Sequence, residues 1–500
     1  MSRVRLRLAG GISFASQLIG HLFGILFAGL VSRRLTEREF GAWAYIGTIL
    51  GYPVALTDLF STWVYRDAAY GRRILGHVLL LNTPILLAAS LIYYAASGPA
   101  SSLAGIERDI FLLGLAVLPP LYLATAVTDM AKGYIPQHVG LASILFETAK
   151  LALGIMLVAH LRLELAGVFT ALALAYTLQL GFLLFSVKPL YSSQIDSATI
   201  KRWLRGSVIK LITVVSGYLS QLDIILLTAI TAETLATGYW QAALLVALMV
   251  KSTGSLTSGL TQRLLSGGGR RDLEKSFNFT MTLAAPATLG AIILAGDILH
   301  AFRPAYSEAW PAATLLALSA FTATLTSFYS STVFASDRFD LKEDVTIGDM
   351  ARSRVSLLWR IGLYTSAAYA ATSAAALLLI RSVGGGVIET ITAVAVVHLA
   401  VNVARLLIHR RLAARYSPYL LSLSSGVPYL SAATSMSIVV YAARSLIDPR
   451  APTLAQTIPP LLALLGIGAA SYFTILWFMS KQFRELLRDI VTFLKQYLGR

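Results

Sequence analysis

Fourteen apolar segments of about 20 to 25 residues dominate this chain and leave it few ways to fold. They lie near residues 12–31, 43–64, 75–96, 110–131, 139–160, 166–186, 208–230, 238–260, 277–299, 311–335, 356–380, 387–408, 425–446 and 457–480. In hydrocarbon every backbone N–H and C=O needs a partner within the protein. Runs this long without strict alternation meet that need only as helices, which excludes a β-barrel. The expected fold is an all-α polytopic integral membrane protein of about 14 transmembrane helices. Composition agrees: of 500 residues 56% are hydrophobic and 13% charged, which excludes a soluble globular chain or a disordered tail. Cysteine is absent, so a disulfide framework, thiolate metal sites and thiol catalysis are excluded too.

The formal net charge of +16 is explained by where the cations fall. With the N-terminus inside, 28 of the 41 Lys and Arg lie in inner segments or at inner span ends and nine in outer loops or at outer span ends, while Lys150, Lys251, Arg360 and Arg405 fall deeper within spans. That asymmetry is the positive-inside rule at work, with attraction to anionic membrane lipid as its corollary, so no nucleic-acid partner is needed. Both termini are expected in the cytoplasm of a multi-pass cell-membrane protein. Arg3, Arg5 and Arg7 precede a run too long for a signal peptide, and thirteen more spans follow it. Residues 481–500 place Phe483, Leu486, Leu487, Ile490, Leu494 and Tyr497 on one helical face, the pattern of an amphipathic interfacial tail.

The basic linker at residues 187–207 falls after six spans and invites a comparison of the halves. Residues 35–45, LTEREFGAWAY, align with 232–242, AETLATGYWQA, at an offset of 197, bringing Gly41 onto Gly238 and Trp43 onto Trp240. A parallel repeat of this kind is a transporter architecture with a pseudo-twofold along the membrane normal. The expected division is a six-helix lobe at 1–186, the cytoplasmic linker at 187–207, a second six-helix lobe at 208–408, an additional helix pair at 409–480 and the tail at 481–500.

The stretch from Gly24 to Leu50, GILFAGLVSRRLTEREFGAWAYIGTIL, resembles the opening of polysaccharide-biosynthesis, O-antigen-type flippases of the multidrug/oligosaccharidyl-lipid/polysaccharide (MOP) exporter superfamily. Residues Gln221 to Ala242, QLDIILLTAITAETLATGYWQA, repeat the pattern, keeping Glu233 but lacking the E-F. The resemblance implies two lobes around a cavity that opens alternately to either side. It also implies passage of a lipid-linked oligosaccharide from the inner to the outer leaflet, a monomer, and a lateral groove for a lipid tail at the extra helix pair.

An ionisable side chain at bilayer depth is costly unless it is paired or faces water, so the buried charges are the site candidates. Lys251, in the eighth span with Ser255, Ser258 and Gln262 on its face, is the first choice to bind a pyrophosphate; a salt bridge to Asp223 or another carboxylate is the alternative. Asp223 ends a stripe of Thr213, Ser216 and Ser220, either facing the cavity or bonding a neighbouring helix. Glu147 and Lys150, three apart in the fifth span, make either a cation-proton switch or a neutral ion pair. Asp58, on a face with Gly51, Ala55 and Thr62, either lines the cavity or snorkels to the interface. Gln17 and His21 are polar enough to line it, although Gly20 and Gly24 mark the same side of helix one for packing. Tyr329, with Ser319, Thr322 and Thr326, suits sugar hydroxyls, or these groups bond within their own helix. Pro53, Pro84, Pro119, Pro120 and Pro286 interrupt spans as bend points.

Gly267, Gly268 and Gly269 are followed by Arg270 and Arg271, so there is no P-loop, and a coupling cation, H+ or Na+, the membrane potential or consumption of product outside would drive transport. The near alternative is a cation-coupled multidrug exporter of the same superfamily. A membrane glycosyltransferase is the more distant one, hooked on Glu37 and Glu39 as metal ligands. The reading expects no enzyme activity, no cofactor and no metal.

Overall fold

A computed structural model describes residues 20, 22–257, 260, 264, 269–337, 348, 352–417, 423–485 and 487–488. Among them there is no β-strand, and eleven helices are long and apolar enough to cross a membrane. The chain is a polytopic all-α membrane protein. It forms two compact units, one from the chain up to Gln241 together with Gly362–Leu378, the other from Ala242–Ile361 and the chain from Leu379 onward.

The first unit holds α1 (22–34), α2 (Glu37–Ala55), α3 (Asp58–Ala69), α4 (Leu75–Ala104), α5 (Arg108–Tyr134), α6 (Pro136–Gly154), α7 (Glu164–Val187), α8 (Ser197–Ser207), α9 (Leu211–Ser220), α10 (Leu222–Thr231) and the start of α11 (Leu235–Lys251). Its central helix is α5, which packs against α3, α4 and α7. Phe60, Val64, Val127, Met130, Leu183 and Trp203 fill the core there. Trp203 comes from the short amphipathic α8, whose cap is the Asp196 carboxylate accepting from the N–H groups of Ala198 and Thr199 at 3.0 Å each. Those bonds hold the exposed Asp196 carboxyl below the usual carboxylate range. The indole of Trp203 donates to Asp67 at 2.9 Å, and Asp67 also takes Arg72 at 2.9 Å and Arg202. The linker helix is thus fastened to α3.

The second unit holds α12 (Arg270–Ile293), α13 (Ala295–Phe302), α14 (Trp310–Ala335), α16 (Val387–Tyr416), α17 (Val427–Arg444), α18 (Leu454–Met479) and the two ends of α15 (Arg354–Ser382). α14 lies along α16, and α17 packs on both α12 and α18. Asp297, 1% exposed in the first turn of α13, accepts from the guanidiniums of Arg444 and Arg450, with Arg450 Nε at 2.9 Å. One carboxylate therefore ties the α17–α18 turn to α13. Asp297→Ala strands two guanidiniums that still reach solvent, and is expected to cost about 2 kcal/mol, less than a fully buried pair. A lowered unfolding midpoint in detergent, smaller for Asp297→Asn, is the check.

The proline expectations need correction. Pro53 does precede a break, since α2 ends at Ala55 and α3 begins at Asp58. Pro84, Pro119, Pro120 and Pro286, however, lie inside helices that run on past them. Each removes one N–H donor, and the rest of the ladder on either side persists. The break in the seventh span comes at Gln221, where no proline stands. Its φ of −107° and ψ of 6° leave the helical region, and its N–H bonds Tyr218 O three residues back. The stripe from Thr213 to Asp223 is accordingly divided between two helices. Lys251 ends α11, followed by a 3₁₀ turn at Ser252–Thr257, so the continuous eighth helix expected from the sequence stops there.

Candidate functional site

The two matched turns of the repeat meet each other. α2 opens with a capping box, Thr36 N–H donating to Glu39 Oε2 at 2.7 Å and Glu39 N–H to Thr36 Oγ1 at 3.2 Å, which aims the helix at α11. The contact runs through Gly41 and Gly238. A Cβ on Gly41 would fall 1.8 Å from Thr234 O, and one on Gly238 would fall 2.3 Å from Glu37 O. Residues 37 and 234 are themselves related by the 197-residue offset that relates 41 to 238. The contact is therefore reciprocal, as a local twofold requires. Only glycine permits backbones this close. Around it Thr234 Oγ1 donates to Arg38 O at 2.7 Å, and Arg38 pairs with Glu233 at 3.1 Å in an exposed salt bridge that contributes little.

Behind this crossing lies Asp223, 7% exposed in the first turn of α10. Its carboxylate accepts from Ile224 N–H at 2.9 Å, Trp240 Nε1 at 3.1 Å and the Tyr369 hydroxyl at 3.1 Å. Three segments, α10, α11 and α15, are tied by one side chain. The repeat-related residue in the first half is Leu26, and Trp43 there packs edge-on against Phe27 at 6.1 Å instead. The halves share a backbone contact and differ in its support. Sequence reasoning named Asp223 and missed Tyr369, one hydroxyl residue in a span that also carries Tyr364, Thr365, Ser366, Thr372 and Ser373.

Asp58 stands at the start of α3, where it accepts from Ser61 at 2.7 Å and Thr213 at 2.9 Å, with Lys210 at 3.6 Å. Ser216 bonds Ser366 at 3.1 Å. Tyr52 and Tyr218 bond each other's carbonyls, at 3.2 and 2.8 Å, joining α2 to α9. This pair was also missed.

Glu147 and Lys150 form an ion pair at 2.6 Å. The ammonium lies 5.2 Å from the Phe27 ring and 4.9 Å from that of Phe146, a cation held by one carboxylate and two aromatic faces. The Glu147 side chain faces the Gly20 and Gly24 side of helix one. Gln17 and His21 lie outside the described residues.

In the second unit Lys251 is exposed at the C-terminal end of α11, a favourable place for a cation, and has no ion-pair partner among the described residues. In the same unit His398 Nδ1 lies 2.8 Å from Ser319 Oγ, and Asn402 donates to the same oxygen at 2.9 Å. Thr322 and Thr326 donate to carbonyls of their own helix, at 2.8 Å each. Tyr329 is buried, 2% exposed, in α14. The side chains of Ser255, Ser258 and Gln262 lie outside the described residues. Among the described residues no group of three or more His, Asp or Glu is placed to hold a metal.

No protein-family model matches the chain, and no curated protein matches it in sequence. Solved structures do match in fold. A MATE in a bent conformation is 14% identical with a TM-score of 0.52, over 82% of this chain and 96% of that one. An inward-facing multidrug resistance MATE family transporter of the MOP superfamily is 12% identical with a TM-score of 0.55, over 81% and 98%. A point mutant of the Vibrio cholerae MATE transporter VcmN is 14% identical with a TM-score of 0.51, over 82% and 97%. At such identity it is the architecture that is shared: the chain has the fold of the MATE transporters.

Proposed function

We propose that this protein is an alternating-access transporter of the cell membrane that flips a lipid-linked oligosaccharide from the inner to the outer leaflet. The observation that carries transport is the reciprocal crossing at Gly41 and Gly238. Two repeat-related turns meet there through bare backbone, one hydroxyl and one exposed ion pair. A contact repeated about a local twofold is one that a rocking motion of the two turns would make and break.

Two features favour a lipid-linked cargo. A groove of about 230 Å³ between α12, α17 and α18 is lined by Pro286, Gly290, Met436, Val440, Leu464 and Gly468, with Tyr472 beside them, a mostly apolar lining suited to a prenyl chain. Lys251, with no ion-pair partner among the described residues, supplies an ammonium for the pyrophosphate of such a lipid. The working form is a monomer driven by a H+ or Na+ gradient or by the membrane potential, with the Glu147–Lys150 pair as the coupling switch. The glycosyltransferase alternative is weakened because Glu39 is engaged in the capping box and Arg38 in the bridge to Glu233. The multidrug alternative is favoured by one observation, the fold shared with the inward-facing multidrug resistance transporter.

Proteoliposomes loaded with a fluorescent lipid-linked oligosaccharide distinguish these readings. Translocation is expected, and Lys251→Gln is expected to slow it about tenfold by removing one charge-assisted contact. Efflux of a cationic dye with no movement of the lipid would leave the multidrug reading standing instead.

A further inference from the structure

We propose that an anionic glycerophospholipid of the inner leaflet docks between α4 and the linker, its acyl chain in a groove there and its headgroup on the basic face of α8. This lipid is distinct from any cargo. The assignment of this end to the inner side rests on the distribution of Lys and Arg.

The groove holds about 470 Å³. Leu79, Leu80 and Pro84 form one wall, Tyr191 and Ile195 the other. Leu80, Tyr191 and Ile195 are exposed, an apolar slot with an aromatic at its rim. The far wall is held in place. A Cβ on Gly76 would fall 2.5 Å from Ser192 O, so the linker backbone lies directly on α4. Gln194 N–H donates to Ser192 Oγ at 3.1 Å, and Asp196 N–H donates to His77 Nε2 at 2.8 Å.

Fixing α8 through Trp203, Asp67 and the bond from Ser207 Oγ to Leu59 O at 2.6 Å decides what it presents outward. Leu204 and Val208 are exposed, and so are Lys201 and Arg205, which have no acidic partner among the described residues. A mixed face of cations and aliphatics is that of a helix lying in the headgroup layer. Asp67 meets two guanidiniums with one carboxylate, which adds an unbalanced positive charge beside it. The Asp196 carboxylate at the start of α8 offsets one charge, but Lys201, Arg205 and the second guanidinium on Asp67 outnumber it, which matches a negatively charged phospholipid better than a zwitterionic one.

The absence of native cysteine makes the test direct. Ser193→Cys, labelled with bimane, would be reconstituted in phosphatidylcholine vesicles containing a minor fraction of acyl-brominated phosphatidylglycerol or, in parallel, acyl-brominated phosphatidylcholine. No sugar lipid is present, so the result is independent of the cargo. The brominated phosphatidylglycerol is expected to quench more strongly, with its local enrichment falling about fivefold for each cation removed in Lys201→Gln and Arg205→Gln. Thr83→Trp, which fills the groove from an exposed position, is expected to lower quenching by both lipids. Equal quenching by the two lipids, or a phosphatidylglycerol excess that survives both charge removals, overturns the headgroup assignment. Unchanged quenching in Thr83→Trp overturns the groove.

Discussion

Gly41→Val is expected to abolish transport while leaving the protein folded. A Cβ at this position would overlap Thr234 O at 1.8 Å, and the obstacle is backbone that no rotamer change moves aside. Overpacking costs up to about 3 kcal/mol, which lowers the population of the crossed arrangement by about a hundredfold. Separating α2 from α11 forfeits the Thr234–Arg38 bond and an exposed ion pair. Disulfide formation between Arg38→Cys and Glu233→Cys reads the crossing directly in a chain that has no other cysteine. Its rate should fall with Gly41→Val and equally with Gly238→Val, since the contact is reciprocal. Undiminished cross-linking in both variants would show that the crossing is not made in the membrane.

Asp223→Leu is expected to be the most destabilising single change in the first unit. It removes the acceptor of Trp240 Nε1, which sits on a side chain 0% exposed, and one partner of the Tyr369 hydroxyl. Leaving such donors in a dry interior costs about 3 kcal/mol in all. Asp223→Asn retains one acceptor oxygen and should lose less. The pair of variants separates structure from mechanism. If the carboxylate serves only to join helices, transport follows the unfolding midpoint through the series. If it exchanges a proton during the cycle, Asp223→Asn stops transport at nearly unchanged stability.

The matched turns were legible in the sequence because a repeat writes its contact twice: Gly41 and Gly238, the residues that align, are the residues that touch. The Glu147–Lys150 pair was equally legible, because three-residue spacing on a helix brings two side chains together whatever surrounds them. The aromatic faces over Lys150 were half legible: Phe146 is a neighbour on the same helix, whereas Phe27 arrives from another. Asp297 was overlooked because its partners, Arg444 and Arg450, lie 147 and 153 residues away and read locally as loop charges.

By itself the sequence determined that the chain is helical, that it lives in lipid and which ends of its helices carry cations. Those properties follow from solvating one segment at a time, since a backbone in hydrocarbon must bond within its own helix. Only the tertiary structure decided that the seventh span breaks at Gln221, that Asp223 is held by Trp240 and Tyr369, and that Ser319 serves His398 and Asn402. Such pairings depend on donors brought from distant helices. A polar side chain in a membrane protein takes whichever partner the packing supplies, and no local pattern specifies which that will be.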